Sequence, residues 1–263
     1  VTAAADKEVR YAALEAGATD FLTKPIDKNE FTPRVKNMLR LRESMMATTR
    51  RADELAIEVR KATAEIHQRE RETVLRLAKA AEYRDPETGS HILRMANYSA
   101  IIARELGLPP TITEHILLAA PMHDVGKLGT PDHILLKPGR LDAEELEIMR
   151  QHAAIGYDIL KDSSSPVLRL AAEIALAHHE KFDGTGYPQR LIGEAIPISG
   201  RIVAVADVFD ALTSERPYKP AWEIEAARTY LNEGSGKHFD PACVDAFNAR
   251  WADIFEIYQT YRD

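Results

Sequence analysis

The sequence predicts a nearly all-helical domain, preceded by a long helix and by the end of a small α/β unit. Helix-start punctuation is the first sign: Asp85-Pro86, Ser165-Pro166 and Asp240-Pro241 each pair a capping residue with a first-turn proline. Thr111 with Glu114 and Asp142 with Glu145 add capping-box spacing. The second sign is that residues 81–263 show no convincing period-two alternation and no repeat. The third is a run, 34–80, without glycine or proline and rich in Arg, Glu, Ala and Leu. At 263 residues, 45 % hydrophobic and 29 % charged, the chain is globular rather than disordered.

Residues 1–33 read as an α/β end piece. A helix over 6–16, with Val9, Ala12, Ala13 and Ala16 on one face, stops at Gly17. Phe21-Leu22 is a strand candidate that Lys24-Pro25 ends. This segment resembles the final third of a response-regulator receiver domain, with Thr2-Ala3 at the switch position and Lys24-Pro25 at the family's Lys-Pro; the alternative is an unrelated αβ cap. The phosphoacceptor Asp of such domains would precede Val1. Residues 34–80 form a helical linker in which Leu55, Val59, Ala62, Ile66, Thr73 and Leu77 follow a broken heptad. That seam suits either dimerisation or a spacer helix packed on its own chain. Residues 81–263 are the helical domain. Its first helix closes at Gly107, a later one is capped by Ser199 and runs through Asp207, and a terminal helix from Pro241 packs Phe247, Trp251, Ile254, Phe255 and Tyr258 as core.

Composition excludes several roles. A single cysteine, Cys243, leaves no partner for an internal disulfide and fits a reducing, cytoplasmic setting. The longest apolar run, 116–122, is seven residues, far below what a membrane-spanning helix needs. No basic segment precedes an apolar core near Val1, so no signal peptide is expected. Charge is uneven: 34–80 carries twelve basic and seven acidic side chains, 81–263 eighteen basic and twenty-eight acidic. So acidic a domain is unsuited to general nucleic-acid binding, which needs clustered cations.

Seven of the nine histidines lie between His91 and His179. His123-Asp124 ends the apolar run and precedes Val125-Gly126-Lys127; a buried His-Asp hydrogen bond explains that pair as well as a cation does. His178-His179 ends the helix begun at Pro166, His152 ends the one begun after Asp142, and Asp207 lies inside an apolar run. Isolated imidazoles and carboxylates on apolar faces are costly unless paired or coordinated. One shared metal cluster explains four such helices most economically.

From about residue 81 to 247 the sequence resembles the HD-GYP domain, a branch of the HD phosphohydrolases that hydrolyses cyclic di-GMP. The resemblance rests on His91, His123-Asp124 with Gly126-Lys127, His152, His178-His179-Glu180, the run Asp183-Gly184-Thr185-Gly186-Tyr187-Pro188, and Ala206-Asp207-Val208-Phe209-Asp210-Ala211-Leu212-Thr213 with Arg216-Pro217-Tyr218-Lys219. It implies an all-α HD-domain bundle. It also implies that His91, His123, Asp124, His152, His178, His179 and Asp207 are metal ligands, with Asp124 bridging. Glu87 stands four residues before His91, on the same helix face. In the family a Glu there accompanies a third ion, so three divalent ions are expected, iron first, with manganese or nickel as alternatives. A first-turn acid favouring the helix dipole is the plainer account of Glu87.

Ions of this kind acidify bound water and clamp the attacking and leaving oxygens of a phosphodiester. Asp124, His123 and Lys127 are the expected catalytic residues. Arg216 and Lys219 resemble the family's phosphate contacts, a bidentate and a point-charge grip respectively; two surface loop cations are the alternative. Tyr187 borders the site by resemblance, and its loop, with two glycines for unusual backbone angles, is a contact surface for GGDEF-domain cyclases or simply a tight turn. The expected reaction opens cyclic di-GMP to pGpG and can continue to GMP. An HD phosphohydrolase acting on another nucleotide, or a non-catalytic binding module, are the alternatives. A full-length receiver domain implies an upstream sensor kinase, and a connecting helix of this kind a homodimer.

Overall fold

The computed structural model describes residues 7–20, 22, 24–84, 89–215 and 220–261. Thr2, Ala3, Phe21, Asp85, Pro86, Glu87, Arg216 and Lys219 lie outside them. Two compact units divide the chain at residues 67 and 68.

In the first unit, α1 (Lys7–Glu15) ends as expected, with Gly17 taking up φ +91° just beyond it. Leu22 is not in a strand. Helix α2 (Lys28–Glu82) starts before Pro33 rather than after it. Asp27 explains the early start: its carboxylate accepts from the Asn29 N–H at 2.8 Å, and the proline then costs the helix only one N–H. Arg34 fastens this end, 2.6 Å from Asp20 and 2.8 Å from Glu30 one turn back.

The second unit begins with the last turns of α2, whose Val74, Ala78 and Ala81 are buried in its core. It continues through α3 (Gly89–Glu105), α4 (Pro110–Ala119), 3-10 turns at Ala120–Met122 and Val125–Gly129, α5 (Asp132–Leu135), α6 (Ala143–Arg150), α7 (His152–Leu160) and α8 (Pro166–Ala177). A 3-10 turn at Gly193–Ala195, α9 (Ile198–Thr213), α10 (Ile224–Glu233), α11 (Pro241–Ala249) and α12 (Trp251–Thr260) complete it. Among the described residues there is no β-strand, only a lone bridge between Ser235 and Phe239. None of the described helices is long and apolar enough to cross a membrane.

Helices α3 and α9 are buried on nearly every side, with His91, Arg94 and Asp210 among their buried residues. They pack on each other, α4 covers α3, and α8 lies between α4, α7 and α9. Tyr98 of α3 meets Phe209 of α9 edge-to-face at 5.4 Å, and Phe247 closes on the same ring at 4.8 Å.

Punctuation was honoured selectively. Asp142 and Glu145 form the full capping box, and Ser165 and Asp240 cap α8 and α11. Thr111 does not cap: Pro110 already occupies the first turn of α4, behind Pro109. Ser199 does not cap either, because α9 starts one residue earlier and the hydroxyl bonds Glu173 at 2.5 Å instead. The terminal helix is broken at Arg250 (φ −107°, ψ 26°), which leaves Ile254 buried and Phe255 37 % exposed rather than in the core.

Candidate metal centre

The apolar positions of α4 lead the chain into the interior, where the short turn at Ala120–Met122 delivers His123 and Asp124, both buried. The next turn, Val125–Gly129, rests directly on the backbone of α7, and Gly126 is the reason it can. A Cβ there would lie 1.9 Å from the His152 carbonyl oxygen and 2.5 Å from the Gly156 nitrogen, so no larger residue fits. His152 stands at the first position of α7, not at the end of α6, whose cap is Gln151. His178 caps the C-terminus of α8 and is followed by His179. His91 comes from α3, and Asp207 from the middle of α9.

These residues converge in two groups: Asp124, His152, His178 and His179 in one, His91, His123 and Asp207 in the other. Within each, one potential ligand atom per residue lies within 4.8 Å of all the others. Asp124 faces both. Its Oδ1 is 3.2 Å from His152 Nε2 and 3.5 Å from His178 Nε2. Its Oδ2 is 3.3 Å from His123 Nε2 and 2.7 Å from Lys127 Nζ. His123 Nε2 is in turn 3.8 Å from Asp207 Oδ1.

The other ring nitrogens reveal which atoms are offered. Nδ1 of His123 donates to the Ala120 carbonyl (3.1 Å) and that of His152 to Met149 (2.7 Å). Nδ1 of His178 lies 3.1 Å from the carbonyls of both Ile174 and Ala175. A carbonyl can only accept, so Nδ1 carries the proton and Nε2 presents its lone pair inward. Asp124 Oδ1 and the Nε2 atoms of His152 and His178 are buried and make no well-formed hydrogen bond among themselves despite their proximity. Such a set is costly as bare polar groups and fits divalent cations that accept imidazole and carboxylate together.

Electrostatics agree. Burial pushes the His178 and His179 pKa values down, His179 well below the usual imidazole range, so both rings are neutral. Burial would raise Asp124, but the Lys127 ammonium and His123 outweigh it and hold its carboxyl well below the ordinary carboxylate range.

Residues to which the sequence assigned no role support the site from behind. Asp210, one turn after Asp207 and fully buried, accepts from His91 Nδ1 at 2.7 Å and from Arg94 at 2.7 and 3.1 Å. Ser214 donates to it at 3.0 Å, and Arg94 reaches on to the Tyr261 carbonyl at 2.7 Å. This orients His91 as a carboxylate orients a metal-ligating imidazole. The signal available was the spacing of Asp207 and Asp210 on one helix face. Glu180, directly after His179, is a second such residue. Its buried carboxylate accepts from the backbone N–H groups of Gln189, Arg190 and Leu191 at 2.6, 3.1 and 3.0 Å, tying down the exit of the 183–188 loop.

In that loop Tyr187 stacks on His179 (ring centroids 4.7 Å apart), with the Arg150 guanidinium 5.3 Å from its ring centre. Tyr187 therefore does border the ligand groups. Of the two glycines, only Gly184 has an unusual backbone angle (φ +82°). Gly186 is needed for space, since a Cβ would stand 2.3 Å from the Lys181 nitrogen. Of the residues expected at the site, Glu87, Arg216 and Lys219 lie outside the described residues.

Comparison with known proteins places this architecture. Residues 36–243 match the HD domain family. The chain is 48 % identical over 257 residues to the cyclic di-GMP phosphodiesterase response regulator RpfG of Xanthomonas campestris pv. campestris, a match covering 98 % of this chain and 68 % of that protein. It is 43 % identical over 277 residues to a cyclic di-GMP phosphodiesterase of Thermotoga maritima, covering the whole of this chain and 73 % of the relative. Among solved structures, a cyclic GMP-AMP-specific phosphodiesterase of V. cholerae, V-cGAP3, superposes with a TM-score of 0.54 at 20 % identity, over 73 % of this chain and 51 % of the other, which shows a common fold. An all-helical bundle, two histidine–aspartate groups joined at Asp124, and matches along nearly its full length lead to one conclusion: the chain belongs to the HD-domain family, among its cyclic di-GMP phosphodiesterases.

Proposed function

We propose that this protein is a metal-dependent phosphodiesterase that hydrolyses cyclic di-GMP to pGpG, with GMP as the product of any further cleavage. The observation that carries the reading is Asp124, whose two oxygens face two separate ligand groups 3.2 to 3.5 Å away. Asp124, His152, His178 and His179 would hold one divalent ion, and His91, His123 and Asp207, with Asp124 shared, a second. Glu87 would help hold a third. Iron is the first choice, with manganese or nickel able to occupy the same imidazole and carboxylate donors. When bound, such ions acidify a coordinated water and neutralise charge on phosphoryl oxygens.

The protein's own groups do the rest. His123, His152 and His178, fixed by their backbone partners, keep their lone pairs turned toward Asp124 and the two ligand groups it joins. Lys127, 2.7 Å from Asp124, adds positive potential for an anionic phosphodiester. Tyr187, stacked on His179, walls one side of the site. Arg216 and Lys219 would grip the non-bridging phosphate oxygens, Arg by its bidentate fork.

In the cell we place it in the cytoplasm, as the output part of a receiver-controlled regulator answering to a sensor kinase, with the 183–188 loop offered to GGDEF-domain proteins. In this reading residues 1–33 are the receiver end, 34–80 the connecting helix and 81–263 the catalytic domain.

The test pairs elemental analysis of anaerobically purified protein with product analysis on cyclic di-GMP and on the mixed GMP–AMP cyclic dinucleotide. The wild type should contain two to three ions and release pGpG from cyclic di-GMP in preference. Asp124→Ala should lose both metal and turnover, and retained activity refutes the shared cluster. Glu87→Ala should remove about one ion; unchanged content rules out its role.

A further inference from the structure

A cavity of about 550 Å³ adjoins the ligand groups without being lined by any of them, a size ordinary for a small-molecule site. Tyr187 is the shared wall: it lines the cavity, stacks on His179 and has the His152 ring 6.4 Å away. Glu147, Arg150 and Gln151 line the cavity from the end of α6, at the three- and four-residue spacing that puts them on one face. Among the described residues Arg150 makes no hydrogen bond. Its guanidinium stands 3.6 Å from Glu147 and 5.3 Å from the Tyr187 ring centre, which leaves its donor fork to the cavity. Arg190 also lines the cavity, and does so at φ +56°, a left-handed backbone that a non-glycine residue rarely adopts. The buried Glu180 carboxylate holds it there, accepting its N–H at 3.1 Å together with those of Gln189 and Leu191. Strain of this kind persists only where the surroundings over-determine it, and it collects at ligand sites.

Resting on the phosphodiesterase reading, we infer that this cavity seats one guanine base of the cyclic dinucleotide, with Arg150 and Glu147 as the residues that select it. Guanine carries two acceptors, O6 and N7, on one edge and two donors, N1–H and the 2-amino group, on the next. A guanidinium fork matches the first pair, and a carboxylate matches the second. Adenine presents a donor where guanine has O6, and its N1 bears no proton. It therefore meets Arg150 donor to donor and Glu147 lone pair to lone pair. A bare phosphate would suit Arg150 but be repelled by Glu147, so the pair of side chains favours the base. The spacing agrees: a base is one sugar removed from its phosphate, and the cavity is one aromatic ring removed from the ligand groups.

The test measures kcat/KM of the metal-loaded full chain on cyclic di-GMP and on cyclic di-AMP, with metal content checking that each variant keeps its centre. The wild type should prefer cyclic di-GMP. Arg150→Lys keeps the charge but loses the fork, and should shrink that preference about 5- to 150-fold, the worth of one bidentate contact to guanine. Glu147→Gln should shrink it as well, by removing an acceptor from the carboxylate pair. An unchanged preference in either variant overturns the proposal. So do rates on the two substrates that fall together, which would assign the side chain to phosphate, and loss of metal, which would assign it to the centre. A wild type that is active but indifferent to the base also overturns the guanine subsite, whereas a metal-loaded wild type inert to both substrates refutes the phosphodiesterase reading beneath it.

Discussion

Asp210→Asn is the sharpest probe of how the centre is held. The substitution keeps size and shape but removes a charge and turns one acceptor into a donor. Asp210 accepts from His91, twice from Arg94 and from Ser214. An asparagine must give up at least one of these bonds, and it removes the carboxylate charge paired with the buried Arg94 guanidinium, 3 % exposed. Breaking a buried ion pair from one side costs roughly 3–5 kcal/mol. For a unit of this size each kcal/mol lowers Tm by about 2–4 °C, so a fall of roughly 6–20 °C is expected. His91 also loses its orienting carboxylate, and loss of such a partner typically lowers metal affinity about 10–100-fold. Thermal unfolding by circular dichroism reads the first effect, and competitive metal titration of the folded variant at low temperature reads the second. A variant with unchanged Tm and unchanged metal affinity refutes the reasoning. Burial opposes ionisation of Asp210, but His91 and Arg94 prevail and its carboxyl is held below the usual range. Its stabilising contribution is therefore complete above about pH 4 and fades as pH falls through the lowered value.

Gly126→Ala should displace the N-terminus of α7, because the new methyl meets backbone at 1.9 and 2.5 Å; elemental analysis should show metal lost together with thermal stability. His238, stacked on Phe239 at 4.2 Å, has its pKa pushed down to about 4 by burial and then by the Lys181 cation. The unfolded chain takes up this proton from about pH 6.5 downward and the folded chain only near 4, so stability drops as pH falls between those values. Because the ring is partly exposed, the drop by pH 5 is discounted to about 1–2 kcal/mol. Urea melts at pH 7 and pH 5 should show that His238→Gln removes that increment, and an identical pH dependence in the two proteins contradicts it.

Much of the centre was legible because its ligands sit at helix ends and in apolar runs, where an uncompensated His or Asp stands out. His91, His123, Asp124, His152, His178, His179 and Asp207 all arrive in the two groups. The supports were less legible because their partners are remote: Asp210 meets residues 119 and 116 positions away. Local signals failed where two competed. Thr111 offered a cap, but Pro110 fixed the start of α4 first. Pro33 suggested a boundary, but a proline near a helix start removes only one hydrogen bond, and Asp27 had already capped the turn.

The backbone carbonyls behind His123, His152 and His178 give the centre a property apart from catalysis. The rotational freedom of those rings is surrendered when the helices pack, not when a cation arrives. A metal that enters finds the ordering entropy already spent by folding, in contrast to small domains that fold around zinc. Loading and stripping the ions should therefore leave the helical framework standing, so that one folded chain can exchange one metal for another without passing through an unfolded state.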